Sequence, residues 1–182
     1  MQKKSYDEWY HPAEDTLFFA DNIKNEQGMA ALDIGTGSGF LATVLSQNFE
    51  LVVATDINPE AVRKAHKNIE NCICCNAADA LFFDFDLVIC NLPYLPSDEI
   101  FDKAVDGSSE GIEVPRKLVL SASKVIKKTG RLIYLTSSLA NYNELMKKTK
   151  QLGFSVTIRA KKRLFFEELV LIECKKSLSC NE

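Results

Sequence analysis

Apolar and polar residues alternate along this chain with two different periods. Short apolar runs, typical of buried strands, are separated by stretches in which apolar residues recur at helical spacing. The short runs predict five strands, at residues 29–34, 51–54, 72–76, 85–90 and 131–136. The other stretches predict helices at residues 40–46, from Asn58-Pro59 onward, at 114–127 and at 142–151. Strands that alternate with helices in this way indicate βα units and a mainly parallel sheet.

The last two apolar runs are connected differently. Residues 154–160 and 164–173 are separated only by the basic turn Lys161-Lys162-Arg163, so they are predicted to pair as an antiparallel hairpin. The predicted fold is α/β and Rossmann-like, with a seven-stranded, mostly parallel sheet, a C-terminal antiparallel hairpin and helices on both faces. The length suits one domain over residues 1–182, with an N-terminal cap segment at 1–28 and a tail at 175–182.

Composition and charge restrict the class of function. Hydrophobic residues make up 46% of the chain and charged residues 26%, which is ordinary for a globular protein. The net charge of -3 gives no general basic field, which argues against nucleic acid as a partner without excluding it. The sequence has no apolar run of the roughly 20 residues that a membrane helix needs, and its polar start lacks a signal-peptide core. We therefore expect a cytoplasmic protein with no membrane partner.

The cysteines and histidines offer little metal or acid–base chemistry. Zinc ribbons use two Cys-x-x-Cys knuckles, whereas among the six cysteines only Cys72 and Cys75 have that spacing, in the run Cys72-x-Cys74-Cys75, and no second knuckle follows. His11 precedes a proline at a predicted turn, and His66 falls on a charged helix face. We expect no bound metal and no catalytic histidine.

A glycine-rich loop follows the first predicted strand. It reads Asp33-Ile34-Gly35-Thr36-Gly37-Ser38-Gly39 and lies at the carboxyl end of the sheet, where open α/β sheets bind ligands. Phe40 stands where a dinucleotide-binding loop has glycine or alanine. An acidic side chain just ahead of the loop would attract an ammonium group and repel a pyrophosphate. S-adenosyl-L-methionine is therefore the predicted ligand, and its predicted contacts here are Asp33, Gly35, Thr36, Gly37 and Gly39.

Two acidic residues that follow later strands suit the rest of this cofactor. Asp56, with Ile57 beside it, ends the second strand at the spacing expected of a carboxylate that binds both ribose hydroxyls. Asp79, after the third strand, can accept from the adenine amino group, with Ala80 against the ring. Each aspartate also suits a turn or a helix start.

The fourth predicted strand runs directly into Asn91-Leu92-Pro93-Tyr94. A planar amide or amino nitrogen is a poor nucleophile because its lone pair is delocalised. The side-chain oxygen of Asn91 and the carbonyl of Leu92 can accept its two hydrogens, and both bonds strengthen in the transition state. Tyr94 can stack on the flat face of the group. Because the methyl donor is already cationic, positioning can supply much of the rate gain without a strong base or a metal.

These segments resemble the HemK-like amino-methyltransferases, whose motif at this place is Asn-Pro-Pro-Tyr. Five further segments carry the resemblance, which covers nearly the whole chain: residues 10–16, 56–59, 106–113, 137–139 and 165–169. The bacterial release-factor enzymes of this family carry an extra N-terminal helical domain, for which this chain has no room. The chain therefore resembles the short archaeal and eukaryotic branch, with a class I methyltransferase sheet.

The resemblance implies an activity and a partner. The implied reaction is methylation of the glutamine amide in the Gly-Gly-Gln motif of a class I translation termination factor, with S-adenosyl-L-homocysteine as the second product. A small zinc-ribbon activator is the implied partner. The residues implied to contact the cofactor or catalytic centre are Thr16, Asp33, Gly35, Asp56, Asp79, Ala80 and Asn91. The implied glutamine grip is Asn91, Leu92, Pro93 and Tyr94.

Two alternatives stay open at this point. The same tetrapeptide can hold the exocyclic amino group of adenine or guanine in RNA or DNA, and short basic clusters at residues 147–150 and 161–163 could contact phosphates. The second alternative is a non-catalytic subunit that only binds the cofactor. Leu92 keeps it open, since it replaces the first proline of the family motif and brings a freer φ and an additional N–H.

Overall fold

The computed structural model describes residues 13–93 and 112–177. Within those ranges the chain forms seven strands and five helices. In chain order they are α1 (Glu14–Ile23), β1 (Gly28–Ile34), α2 (Phe40–Leu45), β2 (Phe49–Asp56), α3 (Pro59–Ala65), β3 (Asn71–Cys74), β4 (Phe85–Asn91), α4 (Glu113–Ser123), β5 (Ile126–Ser137), α5 (Tyr142–Gln151), β6 (Phe154–Arg163) and β7 (Glu168–Lys176).

The seven strands form one sheet in the order β3-β2-β1-β4-β5-β7-β6. Strands β1 to β5 pair in parallel, whereas β7 pairs antiparallel with both β5 and β6. The predicted sheet and its C-terminal hairpin are confirmed. The chain order reverses at β1, which lies between β2 and β4, and such a switch point opens a crevice at the carboxyl ends of the strands.

Helices cover both faces of the sheet, as predicted. Neighbouring residues of β1 point to opposite faces: Ala31 packs in a cluster with Phe19 of α1 and Leu41 of α2, and Leu32 packs in a second cluster with Val119 of α4 and Leu145 of α5. The central strands β1, β2 and β4 are therefore mostly buried on two sides, which explains their nearly continuous apolar sequences, whereas the edge strand β3 has no buried residue.

The prediction of one helix over residues 114–127 is wrong at its C-terminal end. Helix α4 ends at Ser123, and Ile126 already pairs with Phe85 in the sheet. An ion pair holds this strand start, since the Lys127 ammonium lies 2.8 Å from the Asp86 carboxylate. The close approach of the two strands also requires glycine at position 130, because a Cβ there would lie 2.7 Å from the Phe85 carbonyl oxygen. Tertiary pairing here overrides a helical pattern.

The predicted hairpin turn is displaced by three residues. The basic residues 161–163 belong to β6, and the turn is formed by residues 164–167, with the Leu164 N–H donating to the Glu167 carbonyl at 2.8 Å. Phe165 and Phe166 are 92% and 86% exposed, so these apolar side chains do not mark a buried strand. Strand β7 accordingly continues to Lys176, which takes residues 175–176 out of the predicted tail.

The segment predicted as an N-terminal cap contains helix α1 and the start of β1, which the pattern did not predict. Phe19 and Ile23 of α1 are fully buried. The start of the helix is tied to the hairpin, since the Lys162 ammonium lies 3.2 Å from the Glu14 carboxylate. The organisation as one domain over residues 1–182 stays a prediction.

Candidate active site

A cavity of about 850 Å3 opens at the carboxyl ends of β1, β2 and β4. It lies at the switch point of the sheet, against one side of α4. The described residues that line it are Asp15, Ile34, Gly35, Asp56, Ile57, Asn76, Ala77, Asp79, Cys90, Asn91, Leu92, Pro93, Val114, Lys117, Leu118, Leu120, Ser121 and Lys124.

The cavity brings together about half of the predicted site residues. Those on its wall are Gly35, Asp56, Ile57, Asp79, Asn91, Leu92 and Pro93. Those in the described part of the chain that are not on its wall are Thr16, Asp33, Thr36, Gly37, Gly39 and Ala80. Tyr94 lies outside the described residues.

The glycine loop is a backbone turn that folds over the end of β2. The N–H groups of Gly35 and Thr36 both donate to the Thr55 carbonyl, at 2.8 and 2.9 Å. Gly35 has a φ of +72° and presents its Cα side to open space in the cavity, where a ligand can approach the backbone. Gly39 serves packing instead, because a Cβ there would lie 2.9 Å from the Cα of Ala65 in α3.

Asp33 lies beneath the loop rather than on the cavity wall. Its side chain is 1% exposed and accepts a 2.6 Å hydrogen bond from the Thr36 hydroxyl. Burial raises the pKa of this carboxyl from 3.8 to about 6, and the Thr36 bond offsets part of that effect. A contact between Asp33 and a ligand ammonium stays a prediction.

Asp56 stands at the tip of β2 with both carboxylate oxygens engaged by backbone. One oxygen accepts from the Gly37 N–H and the other from the Asn58 N–H, each at 2.9 Å. Asn58 in turn caps α3 by accepting from the Glu60 N–H at 2.9 Å, which confirms the predicted helix start. The carboxylate is therefore fixed in place, and each oxygen keeps a second lone pair that can accept from a ligand.

Asp79 is fixed in a similar way by side chains. Its two oxygens accept from the Ser121 hydroxyl at 2.9 Å and from the Asn76 amide at 2.7 Å. These two hydrogen bonds, the Ser121 bond first, hold the pKa of Asp79 below its usual range. Ala80 is exposed and off the wall, and Ala77 takes the lining position beside Asp79.

Asn91 is the last residue of β4 and has one half of its amide engaged. Its Nδ2 donates to the Asp15 carboxylate at 3.2 Å. Its Oδ1 is buried, and no described residue donates a hydrogen bond to it. A buried acceptor without a partner costs about 1–3 kcal/mol. Because Asn91 lies on the cavity wall, this oxygen is an acceptor that a ligand in the cavity can satisfy.

Leu92 compensates for the proline it replaces. Its side chain is 2% exposed and packs in the core beneath α4. The additional N–H donates to the Leu135 carbonyl of β5 at 3.1 Å, which extends the β4–β5 pairing by one residue. The greater freedom of a leucine backbone is thereby restricted by the sheet.

Sequence reasoning missed several residues of this site. Asp15 was noted only as part of a segment before the glycine loop, and Ser121, Lys117 and Lys124 only as members of a helix. A local signal for them is hard to find, since they reach the cavity through the packing of α1 and α4. Thr16, which was predicted to contact the cofactor, is not on the cavity wall and instead donates from its N–H and its hydroxyl to the Asp15 carboxylate.

The described part of the chain contains neither a metal-binding cluster nor a membrane-spanning helix. Residues 13–93 and 112–177 contain no group of three or more His, Cys, Asp or Glu side chains placed to hold a metal ion. In the same ranges, the helices are all too short or too polar to cross a membrane.

Residues 25–169 match the family model described as a methyltransferase domain. The chain belongs to the methyltransferase domain family. The matched segment includes the glycine loop, Asp56, Asp79 and Asn91.

Two relatives are named for the methylation of glutamine. The chain is 33% identical to a candidate protein N5-glutamine methyltransferase of Methanocaldococcus jannaschii, over 94% of each chain. It is 30% identical to the release factor glutamine methyltransferase of Lactococcus lactis, over 65% of this chain and 50% of the relative. The chain thus spans about half the length of that bacterial relative.

Solved structures show the same fold. The E. cuniculi Mtq2–Trm112 complex, responsible for methylation of the eRF1 translation termination factor, includes a chain with a TM-score of 0.75 and 25% identity, over 93% of this chain and 99% of that one. The N-methyltransferase NodS of Bradyrhizobium japonicum, solved with S-adenosyl-L-homocysteine, has a TM-score of 0.66 over 89% of this chain and 85% of its own, but only 13% identity. The second likeness extends to the fold alone.

Proposed function

We propose that this chain methylates the side-chain amide of the glutamine in the Gly-Gly-Gln motif of a class I translation termination factor, with S-adenosyl-L-methionine as the donor. The observation that carries the proposal is Asn91 Oδ1, a buried acceptor on the cavity wall that no described residue satisfies. The archaeal and bacterial relatives named for glutamine methylation support the same acceptor.

The described residues fit this donor. Asp56 at the tip of β2 and Asp79 in the segment after β3 offer carboxylate oxygens to the cavity, which suit the hydroxyl and amino donors of an adenosyl group. Gly35 leaves its side of the loop open, and the loop carries no basic residue of the kind that binds a pyrophosphate. When bound, the donor supplies an electrophilic methyl group on a cationic sulfur.

The protein's part of the reaction is to hold a flat amide. Asn91 Oδ1 accepts one N–H of the glutamine side chain, and the Leu92 carbonyl accepts the other. Both acceptors lie at the end of a central strand, where the β4–β5 pairing limits their movement. As the nitrogen becomes more positive its N–H groups become better donors, so these bonds stabilise the transition state more than the ground state. Tyr94 supplies a stacking face in this proposal.

The partner and the compartment complete the proposal. A small zinc-ribbon activator is the proposed partner, supported by the two-protein assembly of the E. cuniculi relative. The proposed compartment is the cytoplasm, where termination factors act. Co-expression with a candidate activator followed by gel filtration tests the partner, and an unchanged elution volume would contradict it.

The function is tested by tritiated methyl transfer to purified termination factor, with and without the candidate activator. We expect label in the wild-type factor and none in a factor whose motif glutamine is changed to alanine. Asn91→Ala should bind the donor normally and transfer nothing. Label retained by the alanine factor would refute the acceptor.

Transfer to nucleic acid is the rival function, and the charges on the surface argue against it. Lys147 and Lys148 pair with Glu144, and Lys161 pairs with Glu168. Lys162 pairs with Glu14. Three glutamates therefore offset part of the positive charge of the clusters at residues 147–150 and 161–163, which weakens the phosphate attraction on which nucleic-acid binding depends.

A further inference from the structure

The amide of Asn91 can face the cavity in only one of its two orientations. Its Nδ2 donates to the Asp15 carboxylate at 3.2 Å, across 76 positions of sequence. An ionised carboxylate accepts hydrogen bonds and donates none, so the NH2 group of Asn91 must be the end that faces Asp15. Rotating the amide by half a turn would place Oδ1 against the carboxylate, and two acceptors would repel.

This orientation decides what Asn91 offers to a substrate. With Nδ2 held by Asp15, Oδ1 is the half of the amide left for a ligand, and it has no donor among the described residues. In the reversed orientation the NH2 group would meet the N–H of an incoming amide, donor against donor. One carboxylate therefore distinguishes an acceptor that can hold a glutamine nitrogen from a donor that cannot.

Asp15 is itself held in position from two sides. Its other oxygen accepts from the Thr16 N–H at 2.5 Å and from the Thr16 hydroxyl at 3.1 Å. Helix α1, which carries it, is fixed by the buried side chain of Phe19 and by the Glu14–Lys162 ion pair. The carboxylate therefore reaches Asn91 as part of a packed element, which is the arrangement that limits movement of a reacting group.

We infer that Asp15 is a positioning residue for methyl transfer, which acts by holding the Asn91 amide with its oxygen toward the acceptor nitrogen. The inference rests on the proposed function, since it concerns the same site. It assigns to α1 a part in the chemistry that its role in covering the sheet does not require.

A double-mutant cycle tests this inference. Asp15→Ala is expected to lower kcat by about 10- to 100-fold, the cost of a misplaced reacting group, with donor affinity much less affected. If Asp15 acts only through Asn91, the Asp15→Ala/Asn91→Ala double variant should be no slower than Asn91→Ala alone. Asp21→Ala is the matched control, because Asp21 lies on the same helix, is exposed and pairs only with nearby Lys24 among the contacts described.

A second readout needs no substrate. The side-chain NH2 resonances of Asn91, assigned by their loss in Asn91→Ala, should shift in 15N-labelled Asp15→Ala and stay in place in Asp21→Ala. If Asp15→Ala does not fold, Asp15→Leu carries the same comparison, because leucine favours a helix, fills a similar length and accepts no hydrogen bond from Asn91.

The outcomes separate the inference from the function. Wild-type kcat in Asp15→Ala, losses that multiply in the double variant, or unmoved Asn91 resonances would each overturn the role of Asp15 while leaving the proposed function intact. Absence of transfer by the wild-type protein, with its activator present, would instead refute the function, and the resonances would still decide whether Asp15 orients Asn91.

Discussion

The carboxylate of Asp56 accepts a 2.9 Å hydrogen bond from the backbone N–H of Gly37. The bond joins the end of β2 to the loop that follows β1, so the two predicted cofactor elements form one unit. The second oxygen of the Asp56 carboxylate accepts from the Asn58 N–H at the start of α3. A ligand that binds Asp56 is thereby also presented to the glycine loop.

Asp56→Ala should weaken donor binding by about 10- to 100-fold, since one charged hydrogen bond is worth about 1.5–3 kcal/mol and the loop also loses an anchor. Titration calorimetry with S-adenosyl-L-methionine measures this. Glu50→Ala is the matched control, because Glu50 lies on the same strand at its opposite end and is exposed. Equal donor affinity in the two variants would remove Asp56 from the proposed site.

Two glycines of one loop should respond differently to alanine. Gly35→Ala is expected to cost about 1–2 kcal/mol of unfolding free energy for a left-handed φ, and to reduce donor binding strongly because its methyl group enters the cavity. Gly39→Ala should destabilise the fold further, since its Cβ would meet the backbone of Ala65 at 2.9 Å. Denaturant unfolding and calorimetry on both variants measure the contrast. A Gly35→Ala variant with normal donor affinity would contradict the placement of the ligand.

The raised pKa of Asp33 predicts a pH-dependent stability. Because its folded pKa is about 6 against 3.8 unfolded, the stabilisation from holding the proton is complete below 3.8 and is lost as the pH rises through about 6. Asp33→Asn avoids the buried charge, so it should match the wild type near pH 4 and exceed it at pH 7.5 by about 3 kcal/mol.

Urea unfolding at both pH values tests this, with Asp84→Asn as the control because Asp84 is exposed. A stability difference between Asp33→Asn and the wild type that stays constant with pH would show that the raised pKa is wrong. If a ligand ammonium contacts Asp33, donor affinity should also rise through pH 6 in the wild type and not in Asp33→Asn.

Alanine substitutions of Leu92 and Asn91 should have opposite effects on the stability of the fold and on methyl transfer. Leu92→Ala removes a buried side chain and is expected to cost about 2–5 kcal/mol of unfolding free energy. The variant keeps the backbone carbonyl that is proposed to hold the glutamine, and it keeps the backbone N–H that donates to Leu135. Below the unfolding temperature kcat should therefore change little. Asn91→Ala should show the reverse: normal stability and no transfer. Loss of transfer in folded Leu92→Ala would mean that the leucine side chain itself shapes the site.

Local patterns sufficed where a residue's neighbours in sequence are also its partners. The Asn58 cap and helix α5 follow from such short-range rules, and both were predicted correctly. Prediction failed where a distant strand competed with a local preference. Residues 126–127 look helical, yet pairing with Phe85 draws them into β5. The exposed Phe165–Phe166 turn shows the same limit, since apolar residues do not reveal from sequence whether anything covers them.

The sequence by itself determined the order of the seven strands and of the four helices after α1, the glycine loop and the Asn91 motif, because strand and helix periods, turn residues and hydrogen-bonding capacity are properties of short segments. Only the tertiary structure decided that the Asp33 side chain is buried beneath the loop, that Ser121 fixes Asp79, and that Asp15 meets Asn91. Those contacts join elements up to 76 positions apart, and they exist because helices α1 and α4 must bury their apolar sides against opposite faces of one sheet.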